Sequence, residues 1–305
     1  MSYNMLFNEQ PLVSIIIPCY NHANFVQDCI QSVIAQTYQN IELIIIDDGS
    51  KDETVEKIQK LVTQCTERFV KFEFRHRPNK GLSATLNEAL EWCQGEYFSA
   101  IASDDMMLND KIEIQIDFLK NSIDSTIVGV FGGYNLIDDT NAIIKTILKK
   151  EKKYVFNEIF LHNFDLPAPT ALLKLECVRS VGGYKENLKI EDWYMWLKLT
   201  EDNHCLFYLD KVMVNYRYHE NNFSKNLKLM NIERKKVIDY FTYHKLYKNA
   251  DSKVQWLKAT DYLYVDKKHA LRLFYELFFK KPSQIFSKNF LRFMYHFMKT
   301  SVKNK

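Results

Sequence analysis

Apolar runs that end in paired carboxylates constrain this chain more than any other feature. Residues 41–46 read IELIII and close on Asp47-Asp48-Gly49; residues 97–102 read YFSAIA and close on Ser103-Asp104-Asp105. Ahead of both lies VSIII at residues 13–17. Short continuous apolar runs are expected of strands covered on both faces, the condition of a parallel sheet between helices. Helical spacing fills the intervals. Phe25, Val26, Cys29, Ile30, Val33 and Ile34 follow Asn24, read as an N-cap. Val55, Ile58 and Leu61 share a helix face after Asp52, and residues 82–92 form a further helix before the strand at 97–102. With residues 70–74 as another strand, the β-α-β-α order predicts a right-handed, mainly parallel α/β sheet.

Carboxylates at the ends of such strands lie where open α/β sheets bind ligands. Gathered without basic partners, they repel one another unless a cation or a bound substrate compensates. The pattern suits a metal-dependent site for a phosphorylated substrate. A net charge of +3 over 305 residues is too weak to argue for nucleic acid, so no nucleic-acid partner is expected. The six cysteines, at 19, 29, 65, 93, 177 and 205, form no CxxC pair and support neither a zinc site nor a disulfide framework. The opening MSYNMLFNEQP resembles no signal peptide, and no apolar run approaches the roughly 20 residues of a membrane span. A cytoplasmic protein, peripheral at most to the inner face of the membrane, is expected.

Residues 131–136 and 142–148 read as further strand-like pieces, 167–170 as a rigid loop, 192–199 as a helix and 212–218 as a last strand. Beyond residue 224 the chain turns helical and rich in Lys, Tyr and Phe. The expected division is therefore a catalytic domain at 1–224 and a helical region at 225–305.

The first strand-to-helix turn, Pro18-Cys19-Tyr20-Asn21-His22, lacks the glycines with which a backbone cradles pyrophosphate. A nucleotide bound here is held by side chains at its base and by a metal at its diphosphate. Tyr20 offers a ring face, and Asp48 can accept a hydrogen bond from a pyrimidine N3–H. Asp104 and Asp105 suit a hard divalent cation shared with substrate phosphates. Each has a plainer alternative. Asp47-Asp48-Gly49 also reads as an ordinary turn, Asp104-Asp105 as a turn with an N-cap, and Glu191-Asp192 as acids favoured at a helix start. His219 is either a third metal ligand or a solvent-exposed histidine. Trp193 and Tyr194 either offer ring faces to a ligand or, for Trp193 at least, belong to the core.

Five stretches carry a resemblance: residues 13–21, 42–50, 79–83 with Asn87, 95–105 and 191–193. In this order they resemble the family 2 glycosyltransferases, inverting enzymes of the GT-A fold, over roughly residues 11 to 220. The resemblance implies that Pro18, Tyr20 and Asp48 bind the nucleoside, with Asn21, Lys80, Ser103 and Asp104 also on the donor side. It places Ser103-Asp104-Asp105 at the family's DXD position, with Asp105 the chief ligand of Mn²⁺ or Mg²⁺ and Asp104 beside it. Asp192 stands where the family keeps its catalytic base, and Glu191, Trp193 and Tyr194 fall on the acceptor side. The family often has an arginine just before the residue matching Asn87; here it is Leu86, which leaves that donor contact to Lys80 or Arg77.

The expectation is an α/β GT-A glycosyltransferase with a helical C-terminal extension. It would move a hexose or N-acetylhexosamine from a UDP-linked sugar to a glycan or lipid-linked acceptor in surface polysaccharide synthesis. A nucleotidyltransferase would need a glycine-rich basic loop after the first strand, and a non-catalytic scaffold would have no use for Asp48, Asp104, Asp105 and Asp192 together. After Glu276 there is no acid while Lys280 and Lys281 follow, and Lys288, Arg292 and Lys299 flank a stripe of Phe286, Phe290, Phe293, Met294, Phe297 and Met298. That pattern predicts an interfacial helix on an anionic membrane, with packing against the protein as its rival.

Overall fold

The structure, a computed structural model, describes residues 10–219, 225–280 and 287–302. The apolar runs form β1 (Val13–Cys19), β2 (Ile41–Asp47) and β4 (Tyr97–Ala100), with β3 (Lys71–His76) beside β2. All four are parallel and in simple register, from Val13 opposite Ile41 to Cys19 opposite Asp47 and from Val13 opposite Tyr97 to Ile16 opposite Ala100. Every residue of β2 is buried, which explains why its sequence is apolar rather than alternating. Helices α1 (Val26–Ile34), α2 (Thr54–Gln59), α3 (Val62–Arg68) and α4 (Leu82–Trp92) make the crossovers. Asn24 is not the cap of α1; Phe25 holds that position, without a side-chain hydrogen bond. The helix expected after Asp52 is broken into α2 and α3, with Leu61 at the cap of the second.

The second half supplies β5 (Met106–Met107), α5 (Lys111–Asn121), β6 (Ile127–Ile137), β7 (Ile143–Ile147), β8 (Lys152–Tyr154) and α6 (Phe156–Phe160). A 3₁₀ turn (Ala168–Thr170), β9 (Leu172–Lys174), α7 (Leu175–Ser180), α8 (Glu191–Thr200) and β10 (Cys205–Arg217) complete it. Among the described residues the sheet runs β3-β2-β1-β4-β9-β6-β10-β5, with β7 on β6 and β8 on β10. The order β2-β1-β4 sets the loops after Cys19, Asp47 and Ala100 side by side at the carboxyl edge.

The chain divides into two compact units. One comprises Met1–Phe156, Asp165–Asn187 and Tyr194–His219; the other comprises Asn157–Phe164, Leu188–Trp193 and Glu220–Lys305. The second unit contains α9 (Leu227–Asp239), α10 (Tyr247–Tyr262), α11 (Lys267–Lys280) and α12 (Lys288–Val302), and it also takes Glu191, Asp192 and Trp193. Its core is Trp256, Ala259, Leu263, Ala270 and Phe293, with Phe274, Phe290, Met294 and Phe297 packed against it. The aromatic stripe of α12 is therefore turned inward, Phe293 being 1% exposed, rather than toward a membrane; Met298 alone of the stripe is exposed, and Phe286 lies outside the described residues. A helix has two faces, and the deeper aromatic one is used for folding. No helix among the described residues is long and apolar enough to cross a membrane.

One core residue of the first unit is out of character. Lys111 is fully buried, its Nζ donating to Ser99 Oγ (2.8 Å) and the Ala171 carbonyl (3.2 Å), and burial pushes its ammonium down from 10.5 to about 7. Between those values the unfolded chain holds more protons than the folded one, so this group opposes folding fully below about pH 7 and ceases to as pH rises through the window. Ser99 Oγ also donates to the Ala171 carbonyl (2.7 Å), so removing the amine leaves both paired. Lys111→Met is expected to raise unfolding free energy by up to about 4 kcal/mol at pH 7 and by little above about pH 10.5. Urea titrations at the two pH values check this; an equal gain at both would assign the effect to packing.

Candidate active site

The loop after β2 is built from its acids. Asp47 is fully buried and accepts from the backbone of Ser50 (2.9 Å) and from His76 Nδ1 (2.7 Å). Asp48 accepts from the backbone N–H groups of Lys80 (2.7 Å) and Gly81 (2.9 Å) and from the Arg77 guanidinium, which also reaches Glu88 and Thr85. Arg77 is thus committed to holding the Asp48 loop and is not free for a donor. Gly49 has φ +80°, and a Cβ there would lie 2.7 Å from the Asn79 backbone nitrogen, so the turn demands glycine. Tyr20 stands at the next strand end, 45% exposed, with its ring available. Asn21 bridges the two loops: its backbone N–H donates to Ser50 Oγ and its side chain accepts from Lys51 N–H. Pro18 is half-buried, and exposed Lys80 reaches Glu88 at 3.4 Å.

The loop after β4 meets the end of β10. Asp104 Oδ2 lies 2.8 Å from His219 Nε2, and its other oxygen 3.8 Å from His22 Nδ1. His22, Asp104 and His219 each offer a ligand atom within 4.8 Å of the other two. Ser103, fully buried, hydrogen-bonds His22 Nδ1 at 2.8 Å. Asp105 is outside this cluster. It is 2% exposed, accepts the Arg217 backbone N–H (2.8 Å), and is pushed well above the usual carboxylate range by burial and by Asp104. The fully buried Arg217 guanidinium donates to the carbonyls of Asp104 (2.9 Å) and Asp138 (2.7 Å) and to Asn141 Oδ1 (2.6 Å). It also lies over Phe25, which stacks on His219. One carboxylate and two imidazoles fit a divalent transition ion such as Mn²⁺ better than Mg²⁺, which favours oxygen throughout.

Asp192 and Glu191 open α8 and are half-buried. Burial raises Asp192, and burial with the charge of Asp192 pushes Glu191 up to about 8. Adjacent desolvated carboxylates are a common way to prepare a proton acceptor or donor near neutral pH. Trp193 and Tyr194 are buried, and the Trp193 indole N–H donates to the Ile159 carbonyl (3.0 Å), which favours the core reading for both. Sequence reasoning missed His22 as a candidate ligand and Arg217 as the holder of the acid loop. A charged residue ending a buried strand, two positions before a histidine, was the available signal.

Comparison with known proteins gives this arrangement a context. The family description "Glycosyl transferase family 2" matches residues 14–182. An uncharacterized glycosyltransferase of Rickettsia typhi is 33% identical over 69% of this chain, which spans 65% of that relative's length. A UDP-Glc:α-D-GlcNAc-diphosphoundecaprenol β-1,3-glucosyltransferase of Escherichia coli is 30% identical over 70% of this chain and 80% of its own. Among solved structures, a mannosyltransferase of Pyrobaculum calidifontis in complex with GDP-Man and Mn²⁺ shares the fold (TM-score 0.62) at 14% identity, over 97% of this chain and 88% of its own. The sheet is that of the GT-A glycosyltransferases, and the chain belongs to glycosyl transferase family 2.

Proposed function

We propose that this chain is an inverting, metal-dependent glycosyltransferase that moves a hexose or N-acetylhexosamine from a UDP-linked sugar to a glycan or lipid-linked acceptor in surface polysaccharide synthesis, such as O-antigen, capsule or lipooligosaccharide. The observation that carries the reading is the His22, Asp104, His219 cluster, at the sheet edge that also presents Tyr20 and Asp48. The E. coli relative, with its UDP-glucose donor and diphospholipid acceptor, supports the substrate class.

In this reading Tyr20 stacks on the base, Asp48 accepts its N3–H, and Pro18, Asn21 and Ser103 shape the pocket. Lys80, exposed, reaches donor phosphates. Asp104 and His219, with His22, hold Mn²⁺, which when bound supplies positive charge to the leaving diphosphate. Asp105 supports the loop from behind. Asp192 accepts the proton of the acceptor hydroxyl as the oxygen bonds to the anomeric carbon and the carbon–diphosphate bond breaks, inverting that centre in one displacement. Glu191 assists at the acceptor side. Trp193 and Tyr194, lacking a free face, act as packing. Peripheral attachment to an anionic membrane belongs to the same reading. Leu291, Tyr295 and Met298 are exposed on α12 beside exposed Lys299.

Calorimetric titration of UDP with and without Mn²⁺ tests the metal assignment. Asp104→Ala is expected to abolish the metal-dependent part, and His22→Ala to weaken it. Survival of that part in Asp104→Ala, with loss in a folded Asp105→Ala, would return the chief role to Asp105. Asp192→Asn is expected to keep UDP binding yet lower transfer at least about 10²-fold; near-normal turnover points to Glu191. Arg217→Met orphans two buried carbonyls, so a loss of about 3 kcal/mol of stability is expected, together with Mn²⁺-dependent UDP binding. An unchanged melting temperature would remove Arg217 from that role.

A further inference from the structure

The helical unit holds a group of cations that no acid among the described residues pairs with. Lys253 on α10 donates from Nζ to Asn289 Oδ1 on α12 at 2.9 Å. Lys288 precedes that asparagine and Arg292 follows it by three residues, about one helical turn, so all three cations are gathered where α10 meets the start of α12. Among the described residues none of the three makes an ion pair. The acids of α10, Asp251 and Asp261, are engaged by Lys235 (2.9 Å) and Arg234 (2.5 Å). Arg234 keeps a buried Nε–H without a partner.

The first turn of α12 adds to the imbalance. It contains no acid, and the N-terminal end of a helix carries partial positive charge. Cations at that end oppose the helix unless an anion sits with them. Lys253 is pushed down by burial and by the charges of Arg292 and Lys288. His162 is pushed down to about 3 by burial and by Arg234, Lys253 and Arg292, so it remains neutral and adds no charge of its own. Its ring packs edge-on against Trp193 at 4.8 Å, the residue that follows the proposed base Asp192. Within this unit the cations and the acceptor-side residues are thus linked through one side chain.

We propose that Lys253, Lys288 and Arg292, with the first turn of α12, form a binding site for the phosphate or diphosphate group of the acceptor. A guanidinium and two ammonium groups match such an anion in charge and in donor geometry. The site rests on the acceptor role given above to Asp192, and it makes the acceptor a phosphate-bearing molecule rather than a neutral glycan.

The test is calorimetric titration of inorganic pyrophosphate into the full chain, in metal-free buffer with excess UDP. Binding is expected, and it weakens as salt is raised. In Arg292→Ala and Lys253→Met, both confirmed as folded by thermal melting, affinity is expected to fall at least tenfold. Unchanged affinity in both variants, or no binding by the natural chain at millimolar pyrophosphate, overturns the site. Vesicles containing phosphatidylglycerol form the second arm. If vesicles bind through these residues while pyrophosphate does not, the cations serve bilayer headgroups and the proposal fails. UDP-sugar hydrolysis with Mn²⁺ is measured in parallel and is expected to be unchanged in both variants. Absence of hydrolysis in the natural chain would count against the glycosyltransferase reading, whereas pyrophosphate binding reports on this site alone.

Discussion

Arg217 is the hinge on which the proposed metal site depends. A guanidinium buried this completely is stable only with its donors satisfied, and the partners that satisfy it are the carbonyls of Asp104 and Asp138 and the side chain of Asn141. Those contacts bind the loop after β4 to the end of β10. Its backbone N–H takes up Asp105, which turns Asp104 the other way, toward His219 two residues further along. Ligands more than a hundred positions apart in sequence are therefore aligned by a residue that ligates nothing. In a parallel sheet such cross-chain ties are necessary, because the loops at the carboxyl edge belong to different crossovers.

The same logic governs the nucleoside side. Asp48 would be an isolated buried charge if Arg77 and two backbone N–H groups did not converge on it. That convergence fixes the position of the 79–81 segment, and Gly49 lets the two loops approach. A carboxylate already placed by three donors needs no reorganisation when a base arrives, which is preorganisation in the ordinary electrostatic sense. Glu191 and Asp192 use the opposite device. They have few donors and are desolvated, so their proton affinity rises toward the range in which a carboxylate accepts a proton from a hydroxyl under attack.

The α12 helix shows how a periodic pattern can be read correctly and assigned to the wrong surroundings. Phe290, Phe293, Met294 and Phe297 are one face, as their spacing says, but Trp256 and Phe274 cover it. Spacing reports which residues share a face and carries no information about what lies opposite. The residues left outside are Leu291, Tyr295 and Met298 with the cations beside them. Their mixture of charge and apolar surface was concealed in the sequence by the stronger aromatic signal.

By itself the sequence determined the α/β order, the parallel strands β1, β2 and β4, the helix α4 to its last residue, and the loops that carry Tyr20, Asp48 and Asp104. It could do so because burial on both faces imposes composition, and because strand ends and turns impose their own residues locally. Only the tertiary structure decided which of Asp104 and Asp105 faces the histidines, that His22 joins them, and that Trp193 and Tyr194 are enclosed. It also decided that Arg77 serves the fold and that Lys253 meets Lys288 and Arg292. These outcomes depend on contacts between residues distant in the chain. Neighbouring carboxylates have identical local preferences, and what separates them is the direction from which a partner such as Arg217 approaches.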